Sequence, residues 1–152
     1  MGLLRNRNFV FVFAGHVATL FGGSVQRLAL SLFLLEMTGS PGTYSLVTAA
    51  SIVPYVVLAP FAGLVADAFD RRRVMAVLDG ASSCLLAGFG AALLFGVESV
   101  GLVAFAMVAL SSLAAFHSPA VTSCLPQIVG RRDLAAANGA ISQVSAWSGI
   151  LG

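Results

Sequence analysis

Charged residues are scarce in this sequence, and their scarcity excludes most soluble folds. Only 9% of the 152 residues are Asp, Glu, Lys or Arg and 59% are hydrophobic, against about 25% and about 45–50% in an average soluble domain. A soluble domain must cover its surface with polar side chains, whereas a surface that faces lipid can be apolar. The mean hydropathy of +0.97 agrees, so the composition predicts an integral membrane protein surrounded by lipid.

Lysine is absent, and histidine and cysteine occur only twice each. The side chains that phosphate-binding loops and zinc sites require are therefore absent or few. A phosphate-binding loop ends in Gly-Lys-Ser or Gly-Lys-Thr, and neither occurs. The positions of His16, His117, Cys84 and Cys124 match no zinc pattern. The Arg residues form no contiguous basic face of the kind that binds nucleic acid. The sequence therefore predicts no enzyme, cofactor, metal or nucleic-acid partner.

Four apolar runs are long enough to cross a bilayer. A hydrocarbon core of roughly 30 Å needs about 20 helical residues, and the predicted spans cover residues 9–35, 44–66, 74–96 and 100–123. A fifth run, 138–152, would rise only about 22 Å. The predicted fold is therefore an all-α membrane protein with four complete transmembrane helices and an incomplete fifth.

The distribution of arginine between connections predicts the orientation. Arginine occurs in the N-terminal tail and in the second and fourth connections, whereas the first and third connections contain none. Basic residues stay on the cytoplasmic side during insertion. The sequence therefore predicts a multi-pass protein of the cell membrane with its N-terminus in the cytoplasm.

A sequence pattern marks the connection between the second and third spans. Gly63 is followed after three residues by Asp67, and a run of arginines begins four residues later. This pattern resembles the signature of the major facilitator superfamily, although the family commonly has a basic residue and a glycine where Ala68 and Asp70 stand here. An ordinary cytoplasmic turn is the alternative interpretation. The resemblance implies a hairpin that controls conformational switching, formed by Gly63, Asp67, Asp70, Arg71, Arg72 and Arg73. Independently of the resemblance, Asp70 is placed to cap the third span.

Further segments are similar to the drug, macrolide and siderophore exporter branch of that superfamily: residues 38–41, Pro54, Pro60, 118–120, 125–129 and 134–138. The resemblance implies a secondary transporter that exports a small amphipathic molecule by alternating access, as an antiporter coupled to a proton or another ion gradient. Complete members have twelve spans. Residues 1–152 are therefore expected to be the N-terminal part of one transporter domain, inactive without the missing C-terminal half. The alternative is a small non-transporting membrane protein that acts as an accessory or assembly subunit.

Arg27 and Asp79 fall inside predicted spans, where charge is costly and commonly functional. Arg27, beside Gln26, is expected either to contact substrate in a polar cavity or to extend toward the outer interface. Asp79 is expected either to load a proton or to pair with the nearby arginine cluster. Their depths differ, so no salt bridge between them is expected. Gln26, Arg27 and Asp79 form the candidate substrate or proton site, while His117, beside Pro119, is expected to make a helix-end hydrogen bond.

Overall fold

The computed structural model describes residues 6–130 and 133–151, except for the side chains of residues 66, 67, 71, 118, 127 and 149–151. The described residues form five helices: α1, Arg7–Thr38; α2, Pro41–Ala68; α3, Arg71–Leu94; α4, Val100–Ile128; and α5, Leu134–Leu151. Four of them, α1 to α4, are long and apolar enough to cross a membrane. The prediction of an all-α membrane fold is confirmed.

The connection between α1 and α2 is short because its residues supply the required turn geometry. Gly39 adopts a left-handed conformation with φ of 59°, which favours glycine, and its N–H donates to the carbonyl of Leu35 at 2.8 Å. The hydroxyl of Ser40 then accepts from the N–H of Thr43 and caps α2. Pro41 occupies the first helical position, where its missing N–H is not needed.

Helix α4 is longer than the predicted fourth span, because it continues through Pro126 to Ile128 instead of ending near residue 123. A proline lacks the N–H that bonds to the preceding turn. Membrane helices tolerate proline because neighbouring groups and small backbone adjustments satisfy the freed carbonyl. His117 lies eleven residues before the end of α4, so the expectation of a helix-end hydrogen bond was wrong.

Residues 29–120 form one compact unit. Its core is a cluster of buried side chains from the second part of α1 and the first part of α4, and apolar residues of α2 and α3 pack against it. The buried members of this cluster are Leu30, Leu34, Val103, Ala106, Met107 and Leu110.

The described residues of segments 1–28 and 121–152 form a second compact unit. Phe9 of α1, Leu125 of α4 and Ile141 of α5 are among its buried side chains. At one end of this unit, the amide Nδ2 of Asn6 donates to the carbonyl of Ile128 at 2.7 Å. This bond places the start of α1 beside the end of α4.

The outer surface of α2 is rich in large apolar side chains. Leu46, Ile52, Val53, Val56 and Leu64 are each more than half exposed. Such a surface is unfavourable in water but suits contact with lipid, in agreement with the composition of the whole chain.

Candidate functional site

The hairpin between α2 and α3 is built around the cap that the sequence predicted. Helix α2 ends with the N–H of Phe69 donating to the carbonyl of Val65. Oδ1 of Asp70 accepts from the N–H of Arg72 at 3.0 Å and caps α3. Oδ2 of Asp70 lies 3.9 Å from Nε of Arg73, and both side chains are largely exposed. An exposed pair of this kind contributes little stability, so the cap is the stronger interaction.

The switching function of this hairpin stays a prediction. The side chains of Asp67 and Arg71 lie outside the described part of the chain. Gly63 is half-buried. If alanine replaced it, the added Cβ would have no described neighbouring atom within 4 Å. Among the described residues, then, nothing occupies the space that the small residue leaves open beside α2.

Arg27 has a partner that the sequence did not indicate. Its Nη2 donates to Oγ of Ser24, one turn earlier on α1, at 3.3 Å. The neighbouring Gln26 is half-buried and Arg27 itself is exposed. Within residues 6–130 and 133–151, no described carboxylate lies within ion-pair distance of the guanidinium.

Ser24 also joins α1 to α5. Its Oγ lies 2.8 Å from Oγ of Ser148, and the Ser148 hydroxyl is 3.2 Å from the carbonyl of Leu20. Ser24 is 1% exposed and Ser148 3%. The spacing of serines along an apolar run carries little information about their partners, which is why sequence reasoning missed this contact. The Arg27 guanidinium is thus held by a hydroxyl that is itself fixed by a second helix.

Asp79 of α3 pairs with His117 of α4. Nε2 of His117 lies 3.2 Å from Oδ1 of Asp79, and the two side chains are 11% and 52% exposed. The sequence singled out Asp79, for proton loading or for pairing with the nearby arginines, but did not indicate His117 as its partner. The available signal was depth, since the histidine and the carboxylate lie in consecutive spans at similar distances from the same end.

Beyond this pair, toward the other end of α3 and α4, lies an open apolar groove of about 240 Å³. Its walls carry Cys84, Leu85 and Phe89 from α3, and Leu102 and Phe105 from α4. Cys84 is exposed and has a free thiol. The groove offers apolar contacts, while Asp79 supplies a carboxylate five residues before Cys84 on the same helix.

Known proteins similar to this chain agree on one class. A family model described as "Transmembrane secretion effector" matches residues 1–145. An uncharacterized MFS-type transporter of Mycobacterium tuberculosis is 32% identical over 139 residues, which is 90% of this chain and 31% of the relative. Macrolide efflux protein A of Streptococcus pyogenes is 28% identical over 130 residues, covering 83% of this chain and 31% of that protein.

The multidrug efflux pump Tap of Mycobacterium tuberculosis is 32% identical over 160 aligned positions, covering 98% of this chain and 38% of the pump. The chain therefore spans about a third of the length of the curated relatives that it matches. No solved structure matches it.

Proposed function

Because the chain belongs to the transmembrane secretion effector family of major facilitator transporters, we propose that it forms the N-terminal part of an efflux transporter for a small amphipathic molecule. The family match along residues 1–145, coincident with four membrane-spanning helices, is the observation that carries this proposal. The names of two relatives, a macrolide efflux protein and a multidrug efflux pump, support efflux over uptake.

The proposed mechanism is alternating access, in which one bundle of helices rocks against another around a site near the membrane midplane. A C-terminal half would supply the second bundle, so the 152-residue chain by itself would be inactive. The open space beside Gly63 and the exposed apolar surface of α2 leave room for further helices or lipid. A proton or another ion gradient would drive the export.

The proposed orientation places the N-terminus in the cytoplasm. The bond from Asn6 to Ile128 brings the N-terminal tail and the connection between α4 and α5 to the same end of their unit. These two segments contain four of the eight arginines, Arg5, Arg7, Arg131 and Arg132. Two basic segments at one end agree with the retention of basic residues on the cytoplasmic side.

The side chains available within the membrane support the proposed substrate class. The groove between α3 and α4 presents apolar and aromatic groups, and Asp79 lies on one of the two helices that line it. A molecule with an apolar body and a polar or charged group would find both kinds of contact, and this supports an amphipathic substrate.

An accumulation assay tests the proposed function. The whole reading frame that contains this chain, and separately residues 1–152, would be expressed in a bacterial strain that lacks its own drug pumps. Cellular accumulation of ethidium and of erythromycin would then be measured with and without a protonophore. We expect the whole reading frame to lower the accumulation of at least one compound and the protonophore to restore it, whereas residues 1–152 have no effect.

The control is Glu98→Gln, because Glu98 lies exposed in the connection between α3 and α4, away from the groups assigned to transport. This variant should lower accumulation as the wild type does. Unchanged accumulation with a wild-type protein that is present in the membrane would contradict the proposal and favour an accessory membrane subunit.

A further inference from the structure

Asp79 and His117 lie at the same depth in consecutive spans. The candidate span of α3 is Arg72–Leu94, whose middle is residue 83, and that of α4 is Val100–Pro126, whose middle is residue 113. Each of the two ionisable residues is four positions from its middle residue, or about 6 Å along the helix axis. The contact of 3.2 Å between Nε2 and Oδ1 therefore lies well inside the membrane, where ionisable groups are costly.

The two side chains differ in their access to the surroundings. The His117 side chain is 11% exposed and the Asp79 side chain 52%. The imidazole is shielded between helices, while one side of the carboxylate is open. The carboxylate is therefore the member of the pair that the surroundings can reach.

The residues around the open side of Asp79 are small, unlike those on the outer surface of α2. Ala76, Gly80, Ser83 and Ala87 are exposed on α3, where lipid contact would favour the large apolar side chains that α2 presents. Small side chains leave space for water or for another helix. The carboxylate thus lies beside a surface of small side chains that water or another helix can approach.

One added proton would neutralise this pair. An aspartate with a neutral histidine has a net charge of −1, and the same pair with one added proton on the imidazole is neutral. Asp79 has no ion-pair partner other than His117 among the described residues. The other charged residues of this unit are Glu36, Asp70, Arg72, Arg73 and Glu98, together with Asp67 and Arg71, whose side chains are not described.

We propose that Asp79 and His117 form the proton-binding site through which this transporter couples export to a proton gradient. Proton uptake converts a hydrogen-bonded contact into an ion pair that holds α3 against α4. Proton loss leaves an unneutralised carboxylate within the span, which favours a conformation in which water reaches Asp79. The inference rests on the proposed function for its role in export, whereas proton binding itself is a property of this chain.

Proton binding is tested without transport. Residues 1–152 would be prepared with 15N-labelled histidine in lipid nanodiscs, and the imidazole signals would be compared between the wild type and Asp79→Asn at the same pH. The chain contains only two histidines, so His16→Gln assigns both signals. We expect Asp79→Asn to reduce the doubly protonated share of His117 and to leave His16 unchanged. An unchanged His117 signal would contradict the proposal.

Coupling is tested in proteoliposomes that contain the whole transporter, with ethidium as the probe. The wild type should accumulate ethidium when a pH gradient is imposed and should exchange it without a gradient. We expect Asp79→Asn and His117→Gln to lose accumulation and to retain exchange. Substitution of a residue with a merely structural role would affect both activities together. Loss of exchange in both variants would therefore contradict a coupling role. Normal ethidium accumulation in either variant would contradict it as well.

The two proposals fail in different ways. A wild-type protein that moves neither ethidium nor erythromycin would contradict the proposed export, and the histidine spectra would still decide whether the pair binds a proton. If the wild type exports normally and Asp79→Asn still accumulates ethidium in proteoliposomes as the wild type does, only the proton site is contradicted. Glu98→Gln is again the matched control for loss of a carboxylate outside the described spans, and it should retain both accumulation and exchange.

Discussion

Single polar residues determine which helices of this chain are joined inside the membrane. The hydroxyls of Ser24 and Ser148 lie 2.8 Å apart and are both almost completely buried. In hydrocarbon, a hydroxyl without a partner is unfavourable, and this makes such contacts specific even when they are weak. Arg27 donates to the same Ser24 oxygen, so the contact also positions a cation.

The serine pair should contribute modestly and cooperatively to stability. We expect Ser24→Ala and Ser148→Ala to show a coupling energy of about 0.6 kcal/mol, the average for hydrogen bonds between membrane helices. The measurement is a double-mutant cycle on the free energy of unfolding in mixed micelles. Ser45→Ala is the control, since the Ser45 hydroxyl is exposed and bonds only to the carbonyl of Pro41 on its own helix. Strict additivity of the two buried substitutions would contradict the contact.

Asp70 should stabilise the protein through its cap and hardly at all through its charge. Asp70→Ala removes the acceptor for the N–H of Arg72, and such a loss costs about 1 kcal/mol. Asp70→Asn keeps an N-cap oxygen and removes only the weak, exposed pair with Arg73. We expect thermal unfolding to shift clearly for Asp70→Ala and much less for Asp70→Asn. Equal shifts would show that the ion pair, and not the cap, is the stabilising interaction.

At the scale of elements, the helices differ in what their surfaces present. Helix α2 exposes large apolar side chains, and α3 exposes small ones on the side of Asp79. On α1, Leu34 is completely buried in the core of residues 29–120, whereas Leu32 is 63% exposed. Sequence cannot separate these faces, because lipid-facing and core-facing positions in a membrane helix are equally apolar.

Leu34 should therefore contribute to stability and Leu32 should not. Lipid surrounds a leucine side chain about as favourably as the protein core does. Replacing Leu34 by alanine therefore loses mainly packing contacts. We expect a destabilisation on the order of 1 kcal/mol, smaller than the 2–5 kcal/mol typical of soluble cores. Leu32→Ala is the matched control and should have little effect on the free energy of unfolding. Equal destabilisation by the two substitutions would place both leucines in the same surroundings.

At the scale of the whole molecule, arginine content and hydrogen bonding agree about which segments share a side of the membrane. The N-terminal tail and the connection between α4 and α5 are both basic, and Asn6 and Ile128 join them. The connections that follow α1 and α3 contain no arginine. The orientation of the chain in the membrane is therefore open to direct measurement.

Reporter fusions should give opposite results at alternate connections. We expect alkaline phosphatase, which is active only outside the cytoplasm, to be active after Glu98 and inactive after Asp70. Green fluorescent protein should show the reverse pattern, because the arginines near Asp70 retain that connection in the cytoplasm. Replacing Arg71, Arg72 and Arg73 together by Gln should reduce the contrast. Active phosphatase after Asp70 in the wild type would contradict the proposed orientation.

Much of the fold followed from the sequence, because the bilayer restricts the options. A membrane-spanning segment must satisfy its own backbone hydrogen bonds, so a long apolar run in this chain implies a helix. The cap at Asp70 was also predictable, since it depends on residues two positions apart. The family resemblance at Gly63 and the arginine run was confirmed by the family match.

The partners of the candidate residues were decided only by the tertiary structure. Sequence singled out Arg27 and Asp79 from their cost in the membrane, yet the bond from Arg27 to Ser24 depends on a rotamer and the pairing of Asp79 with His117 on the packing of α3 against α4. The continuation of α4 through Pro126 likewise depends on surroundings that a local rule about proline does not include. Hydropathy specifies that a residue is in the membrane, whereas the side chain that it meets there depends on how the helices pack.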